Sequence, residues 1–396
     1  MEVLQGKVDC RPEETGYDSS RLEALNAHFQ KLIDKEIIFG AQYTISHKGK
    51  IIANASLGSG SKIEQVPMQP DTVFPVASIT KVFTAVAIMQ LIEEGHFRLN
   101  TCVAEILPQF AEPPFNGITV WHLLTHTSGL YPDGGCFPEA APKCSWELIE
   151  DAAKLWDFSS KEEFDWVKAG ISGGLRRPVG SEWQYNSFGF VILGEIITKV
   201  SGLFANDYIV EKIIKPLAMN DSGFKATVDM AKRAFIRNER EKQILADYIA
   251  GKPLPNEDAG SFWEKVPSTG GGLRSTTSDL IRFANMTLNG GCLDNARILG
   301  RKTIEVMTTQ QLKNVPDYCW GSNEPDRKYG VGFDMREGLA YTYSKGTYMH
   351  EGAGACSMDI DPKEQLAAAW FVPWNKGEWC PDPLYNVQNI IWSGII

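Results

Sequence analysis

Apolar residues recur at three- and four-residue intervals through Leu22, Leu25, Phe29, Leu32 and Ile33, the stripe of an amphipathic helix. Asp18 or Ser19 can cap it, and it ends before Gly40. Residues 42–57 then carry β-branched side chains on both sides of His47-Lys48-Gly49-Lys50, which predicts a hairpin. A second helical stripe runs from Ser78 to Glu94, with Val82, Phe83, Val86, Met89 and Leu91 or Ile92 turned inward and Gly95 as its stop.

Between Gly95 and Gly291 helical stretches dominate, at 121–125, 188–200, 206–214 and 279–288, separated by loops rich in Pro, Gly and Trp. Strand character returns at 329–333, 340–350, 356–360 and 365–372, with Asp361-Pro362-Lys363-Glu364 as a hairpin turn, and a closing helix is predicted over 383–391. This order predicts one region built from residues 1–95 and 292–396, a mainly helical insert at 96–291, and a site in the cleft between them.

The 396 residues, 43% of them hydrophobic, are ample for a packed core and show no low-complexity segment or internal repeat. Lys and Arg total 39 against 49 Asp and Glu, so the formal charge is -10 and nucleic acid is not expected as a partner. Met1 to Asp18 lacks the apolar core of a secretion signal, and no apolar stretch approaches the ~20 residues a membrane span needs. Cytosolic residence is the resulting expectation. Eight scattered cysteines without a Cys-x-x-Cys pair favour buried thiols over a disulfide frame, with Cys136 and Cys144 the one pair to check.

Ser78-Ile79-Thr80-Lys81 supplies candidate chemistry. A serine in the first turn of a buried helix sits near unpaired N–H groups, and Lys81, three residues on, projects from the same face. Its amine can hydrogen-bond the hydroxyl and, if burial lowers its pKa, take the proton. The alternative is a helix-capping serine followed by a solvated lysine. Ser59-Gly60-Ser61-Lys62 and Ser222-Gly223-Phe224-Lys225 share the spacing, but only Ser78 precedes a long apolar helix.

With these residues the sequence resembles the serine β-lactamase and penicillin-binding-protein superfamily, in its class C β-lactamase-like branch with family VIII carboxylesterases, D-aminopeptidases and fungal acyltransferases. The resemblance rests on residues 75–81, on His122-Leu123-Leu124-Thr125-His126-Thr127-Ser128-Gly129-Leu130, on Trp183-Gln184-Tyr185-Asn186-Ser187-Phe188-Gly189-Phe190, on residues 270–276 and on His350-Glu351-Gly352-Ala353-Gly354. It implies an α+β fold of the β-lactamase/transpeptidase type, an antiparallel sheet flanked by helices. It also implies Ser78 as nucleophile, Lys81 and Tyr185 sharing its proton, and an oxyanion hole from the N–H groups of Ser78 and Ala353, with His350, Gly352 and Ser187 binding substrate.

Two departures shape the functional expectation. The third position of the tyrosine segment, usually Asn, is Ser187, which removes the amide that β-lactamases use to hold a substrate's side chain. The strand motif, Lys-Ser/Thr-Gly in lactamases and transpeptidases, reads His350-Glu351-Gly352, so a fixed cation gives way to a histidine of intermediate pKa. The resemblance then implies a cofactor-free serine hydrolase cleaving a small-molecule ester through acyl-Ser78. β-Lactamase, D-amino-acid peptidase or amidase, and acyltransferase activities are the alternatives within that machinery, and an inactive binding relative is the alternative outside it.

Other features are expected to be structural. His122 and His126 share a helical face but lack a third ligand and the Glu of a zinc helix, so no metal is expected. Gly270-Gly271-Gly272 lacks a following Gly-Lys-Ser/Thr and reads as close backbone approach. Asp157, Glu162, Glu163 and Asp165 read as a solvated helix face, and Trp146, Trp156, Trp166, Trp263 and Trp320 are candidates to wall an acyl pocket.

Overall fold

The computed structural model describes residues 2–136, 143–159, 162–252, 262–336, 340–354, 356–375 and 381–396, with side chains in the last stretch from residue 386. Six strands form one antiparallel sheet in the order β1-β3-β2-β6-β5-β4: β1 Leu4–Gln5, β2 Gly40–His47, β3 Lys50–Gly58, β4 Tyr348–Gly352, β5 Cys356–Asp361 and β6 Leu366–Phe371. The predicted first hairpin closes through Lys48 and Gly49, both at positive φ, the turn whose twist suits two adjacent strands. The centre of the sheet joins the two ends of the chain, Leu366 opposite His47 and Phe371 opposite Gln42.

Both faces of the sheet are covered, and β6 shows why its sequence is almost wholly apolar. Leu366, Ala368 and Trp370 face α1 (Ser20–Asp34) and α6 (Pro381–Trp392), packing with Leu25, Phe29, Leu32 and Ile391. Ala367, Ala369 and Phe371 face the opposite core, with α2 (Thr80–Glu93), α4 (Ser187–Ser201) and α5 (Thr277–Leu288). A strand buried on both faces loses the polar alternation of a surface strand. The two helices at the heart of the second core, α2 and α4, are correspondingly apolar all round.

Several sequence expectations shift. The strand predicted at 329–333 is a turn: Gly332 holds φ 76°, and a Cβ on it would lie 2.4 Å from that of Ala85 on α2, so the chain turns there to pack on α2. The strand predicted at 340–350 is confined to Tyr348–Gly352. Upstream, Gly346 at φ 93° and side-chain bonds from Tyr343 to Asp359 and Thr342 to Asn389 hold irregular chain. α5 falls on the insert side of the expected boundary at 292, yet it packs on the sheet through Thr277 to Thr44 and Ser46 to Asn285. Asp157, Glu162, Glu163 and Asp165 lie in a loop before Trp166–Ile171, not on a helix face. Asp165 caps that helix by accepting from Lys168 N.

Cys136 packs beside Cys319 instead of Cys144, and the described cysteines are free thiols. Cys380, and most of the loop between Cys136 and Cys144, lie outside the described residues. No single described helix is long and apolar enough to cross a membrane.

Candidate active site

Ser78 stands on a strained turn. Ala77 holds φ 44°, a region that costs a residue with a Cβ of order 1 kcal/mol or more. Hydrogen bonds from Val76 N to Leu273 O, Thr80 Oγ1 to Ala77 O and Leu273 N to Thr80 Oγ1 hold it there. Ala77–Ile79 form one tight 3-10 turn, so α2 begins at Thr80 and Ser78 precedes the long helix rather than opening it. Ser78 itself remains partly exposed.

Lys81, on the first turn of α2, is fully buried. Its Nζ lies 2.9 Å from Ser78 Oγ, 3.0 Å from Ser187 Oγ and 2.7 Å from the carbonyl oxygen of Gly270. Loss of water drives its pKa down to about 8, against the opposing pull of the nearby Asp133 carboxylate. The same-spacing motifs form no such pair. Lys62 bonds to Trp374 O and Ser222 to Ser275 and Asp279.

Tyr185 approaches the same point from the other side of the site, its ring centroid 4.7 Å from Lys81 Nζ, and the Ser78 side chain favours its phenolate against the larger opposing effect of burial. Rings of His126 at 4.6 Å, Trp320 at 5.3 Å and Trp183 at 5.8 Å frame it. Burial pushes the phenol well above its ordinary value. It is therefore a neutral hydroxyl at pH 7, and the amine is the group with a lone pair to offer. His126 accepts from Asn186 N through Nδ1, and its own carbonyl accepts from Gln184 N, which fixes the segment carrying Tyr185. His122 instead bonds Thr119, and no cluster of three metal-ligating side chains occurs among the described residues.

Asn186 is spent on local structure. Its Oδ1 accepts from Gly189 N at the start of α4 and its Nδ2 donates to Tyr131 O. Ser187 thus fills the segment's third position, against Lys81. The sequence reading missed its other partner, Asp133, which accepts from Ser187 N at 2.8 Å and from Ser187 Oγ at 2.5 Å. Asp133 lies in Tyr131-Pro132-Asp133-Gly134-Gly135, a turn composition that carries no sign of chemistry.

Gly270 supplies the carbonyl for Lys81 and packs so closely that a Cβ there would be 2.8 Å from Ser187 O. On the opposite side the edge strand β4 is drawn against the segment that carries Ser78. A Cβ on Gly352 would lie 2.2 Å from Val76 O, and Cys356 Sγ approaches the same carbonyl at 3.5 Å. Ala353, exposed, follows in the turn between β4 and β5. His350 is buried, its Nδ1 is 2.7 Å from Glu351 O, and its Nε2 has no hydrogen-bond partner among the described residues. Desolvation and then the nearby Lys81 charge push its pKa to about 4. The intermediate pKa expected from sequence is corrected by burial: His350 is neutral at pH 7 and does not replace the lysine's charge.

Of these five tryptophans, Trp320 alone among the described ring contacts packs on Tyr185, with the two rings tilted by 55°, and it is 59% exposed. Trp146 and Trp166 pack on Phe188, Trp263 on Trp146, and Trp156 on Phe164, inside the helical region.

A sheet covered by helices on both faces, with a serine, a buried amine and a phenol converging at its edge, defines a β-lactamase/transpeptidase-type fold. The family model described as Beta-lactamase matches residues 25 to 386, and the chain belongs to that family of serine hydrolases and acyl transferases. Among relatives, Protein Rv1367c of Mycobacterium tuberculosis is 27% identical over 91% of each chain, and Esterase EstB of Burkholderia gladioli 31% identical over 54% of each. The structure of EstCE1, a hydrolase with promiscuous acyltransferase activity, superposes with a TM-score of 0.72 at 20% identity, covering 95% of this chain and 99% of that one.

Proposed function

We propose that this protein hydrolyses carboxylic esters of small molecules through an acyl-Ser78 intermediate. The observation that carries the reading is the desolvated Lys81 amine 2.9 Å from Ser78 Oγ. Lys81 takes the Ser78 proton as Oγ bonds to the substrate carbonyl carbon, and the N–H groups of Ser78 and Ala353 receive the oxyanion. The neutral Tyr185 hydroxyl gives its proton to the departing alkoxide and regains one from the Lys81 ammonium. Water then releases the acid by the same steps in reverse order.

The ester preference rests on two missing groups. A neutral His350 offers no charge to a substrate carboxylate, and Ser187 offers no amide to a lactam side chain. The likeness to EstB supports the same choice, and the likeness to EstCE1 supports acyl transfer to an alcohol as a second outcome of the same acyl-enzyme. Turnover of short-chain p-nitrophenyl esters tests the reading. It is expected to vanish in Ser78→Ala, and equal turnover by that variant, or fast cephalosporin hydrolysis with poor ester turnover by the parent, overturns it.

A further inference from the structure

We infer that Asp133 is a positioning residue that, through Ser187, aims the free electron pair of Lys81 at Ser78. The inference rests on the acyl-Ser78 reading above and adds how the base is oriented.

Asp133 lies within hydrogen-bonding distance of both Ser187 N and Ser187 Oγ, and a carboxylate can only accept. The single proton of the Ser187 hydroxyl is therefore committed to Asp133, and toward Lys81 this oxygen can only accept. The Gly270 carbonyl is likewise an obligate acceptor. A neutral amine has two N–H bonds and one lone pair. With Gly270 O and Ser187 Oγ taking the two N–H bonds, the lone pair is left for the third neighbour, the hydroxyl of Ser78. Lys81 then removes the Ser78 proton without first rotating.

Without Asp133 the Ser187 hydroxyl can turn and donate to the Lys81 lone pair, which blocks the base. An Asn in its place has one acceptor oxygen for two donors, so one of the Ser187 bonds is lost. Without Ser187 the second N–H of Lys81 has no acceptor except Ser78 Oγ, and the amine becomes a donor to the nucleophile it should deprotonate. The other titratable groups around Lys81 are Tyr185 ahead of α4, His126 after α3 (Val120–Leu124) and His350 on β4, with Asp334, Arg327 and Arg336 behind them. Burial keeps Tyr185 protonated and both histidines unprotonated at pH 7, so Asp133 is the charge that opposes desolvation at Lys81.

The test is the pH profile of kcat/KM for a p-nitrophenyl ester in Asp133→Asn, Ser187→Ala and the double variant, with folding checked by near-UV circular dichroism. Each single variant is expected to lose about tenfold or more at the alkaline plateau, mostly in kcat. In Asp133→Asn the acid limb also moves to lower pH, because a charge holding the Lys81 proton is gone. The double variant is expected to match Ser187→Ala in its alkaline plateau, since both changes break one chain, while keeping the acid-limb shift that loss of the Asp133 charge brings. Losses that multiply, or a plateau unchanged in Asp133→Asn, overturn the inference. If Asp133→Asn does not fold, Ser187→Ala decides alone, and a parental plateau in it overturns the inference. A parent protein that never acylates at Ser78 sinks the hydrolase reading instead, while an acylating parent with an indifferent Asp133 sinks only the relay.

Discussion

The sharpest consequence of burying Lys81 is a pH dependence that no other group in the site can mimic. An ordinary lysine, near 10.5, is neutral in only about 0.03% of molecules at pH 7. At about 8 the neutral fraction is about a tenth, a gain of roughly 300-fold in available base. Single-turnover acylation by a p-nitrophenyl ester should therefore rise with unit slope from pH 6, bend near 8 and level off, gaining about 50-fold between pH 6 and 8. Neither histidine shapes this range. His350, pushed down to about 4, is already neutral at pH 6, and burial moves His126 in the same direction. Lys81→Arg, which stays protonated, should remove the fast phase at every pH tested. A flat profile between pH 6 and 9, or one bending near 6.5, would refute the assignment of Lys81 as base. Stability carries the same signature with a definite sign. Between about 8 and 10.5 the unfolded chain holds more protons than the folded one, so the parent gains stability as pH rises through that window, by an order of 3 kcal/mol at most. Below it the cost of the buried charge is present in full.

In single-turnover acylation Tyr185→Phe should slow alkyl esters by about a hundredfold or more and spare p-nitrophenyl esters, whose leaving group needs no proton; equal losses on both in that step would reject its role as acid. Gly352→Ala places a Cβ 2.2 Å from Val76 O and should lower both the melting temperature and the acylation rate, read by calorimetry and stopped flow. Asn186→Ala removes the cap on Gly189 N and the bond to Tyr131 O, and should destabilise the fold by about 1 to 2 kcal/mol in urea unfolding.

What could be read in advance follows from how local each signal is. The helix at Ser20–Asp34 and the first hairpin announce themselves through periodicity and turn chemistry confined to a few residues. Ser78, Lys81 and Tyr185 were legible as candidates through motif order, and the structure places Lys81 Nζ 2.9 Å from Ser78 Oγ and 4.7 Å from the Tyr185 ring centroid. Asp133 was not, because its meaning comes from a contact with Ser187, 54 residues away. The neutral state of His350 is set by burial, which no spacing encodes. The false strand at 329–333 has strand-like residues, but Gly330 and Gly332 serve close packing, a Cβ on Gly330 meeting Met307 O at 2.3 Å. α5, on the insert side of the expected boundary at 292, is helical like the insert yet packs on the sheet, a contact that helical periodicity alone does not encode.

Intact-mass spectrometry of the protein quenched in acid during turnover of a slow ester tests the central claim most directly. The account predicts a mass increase equal to one acyl group, mapped to the peptide bearing Ser78 and absent in Ser78→Ala. Ester turnover with no such adduct under single-turnover conditions, or an adduct on another residue that survives in Ser78→Ala, would contradict it.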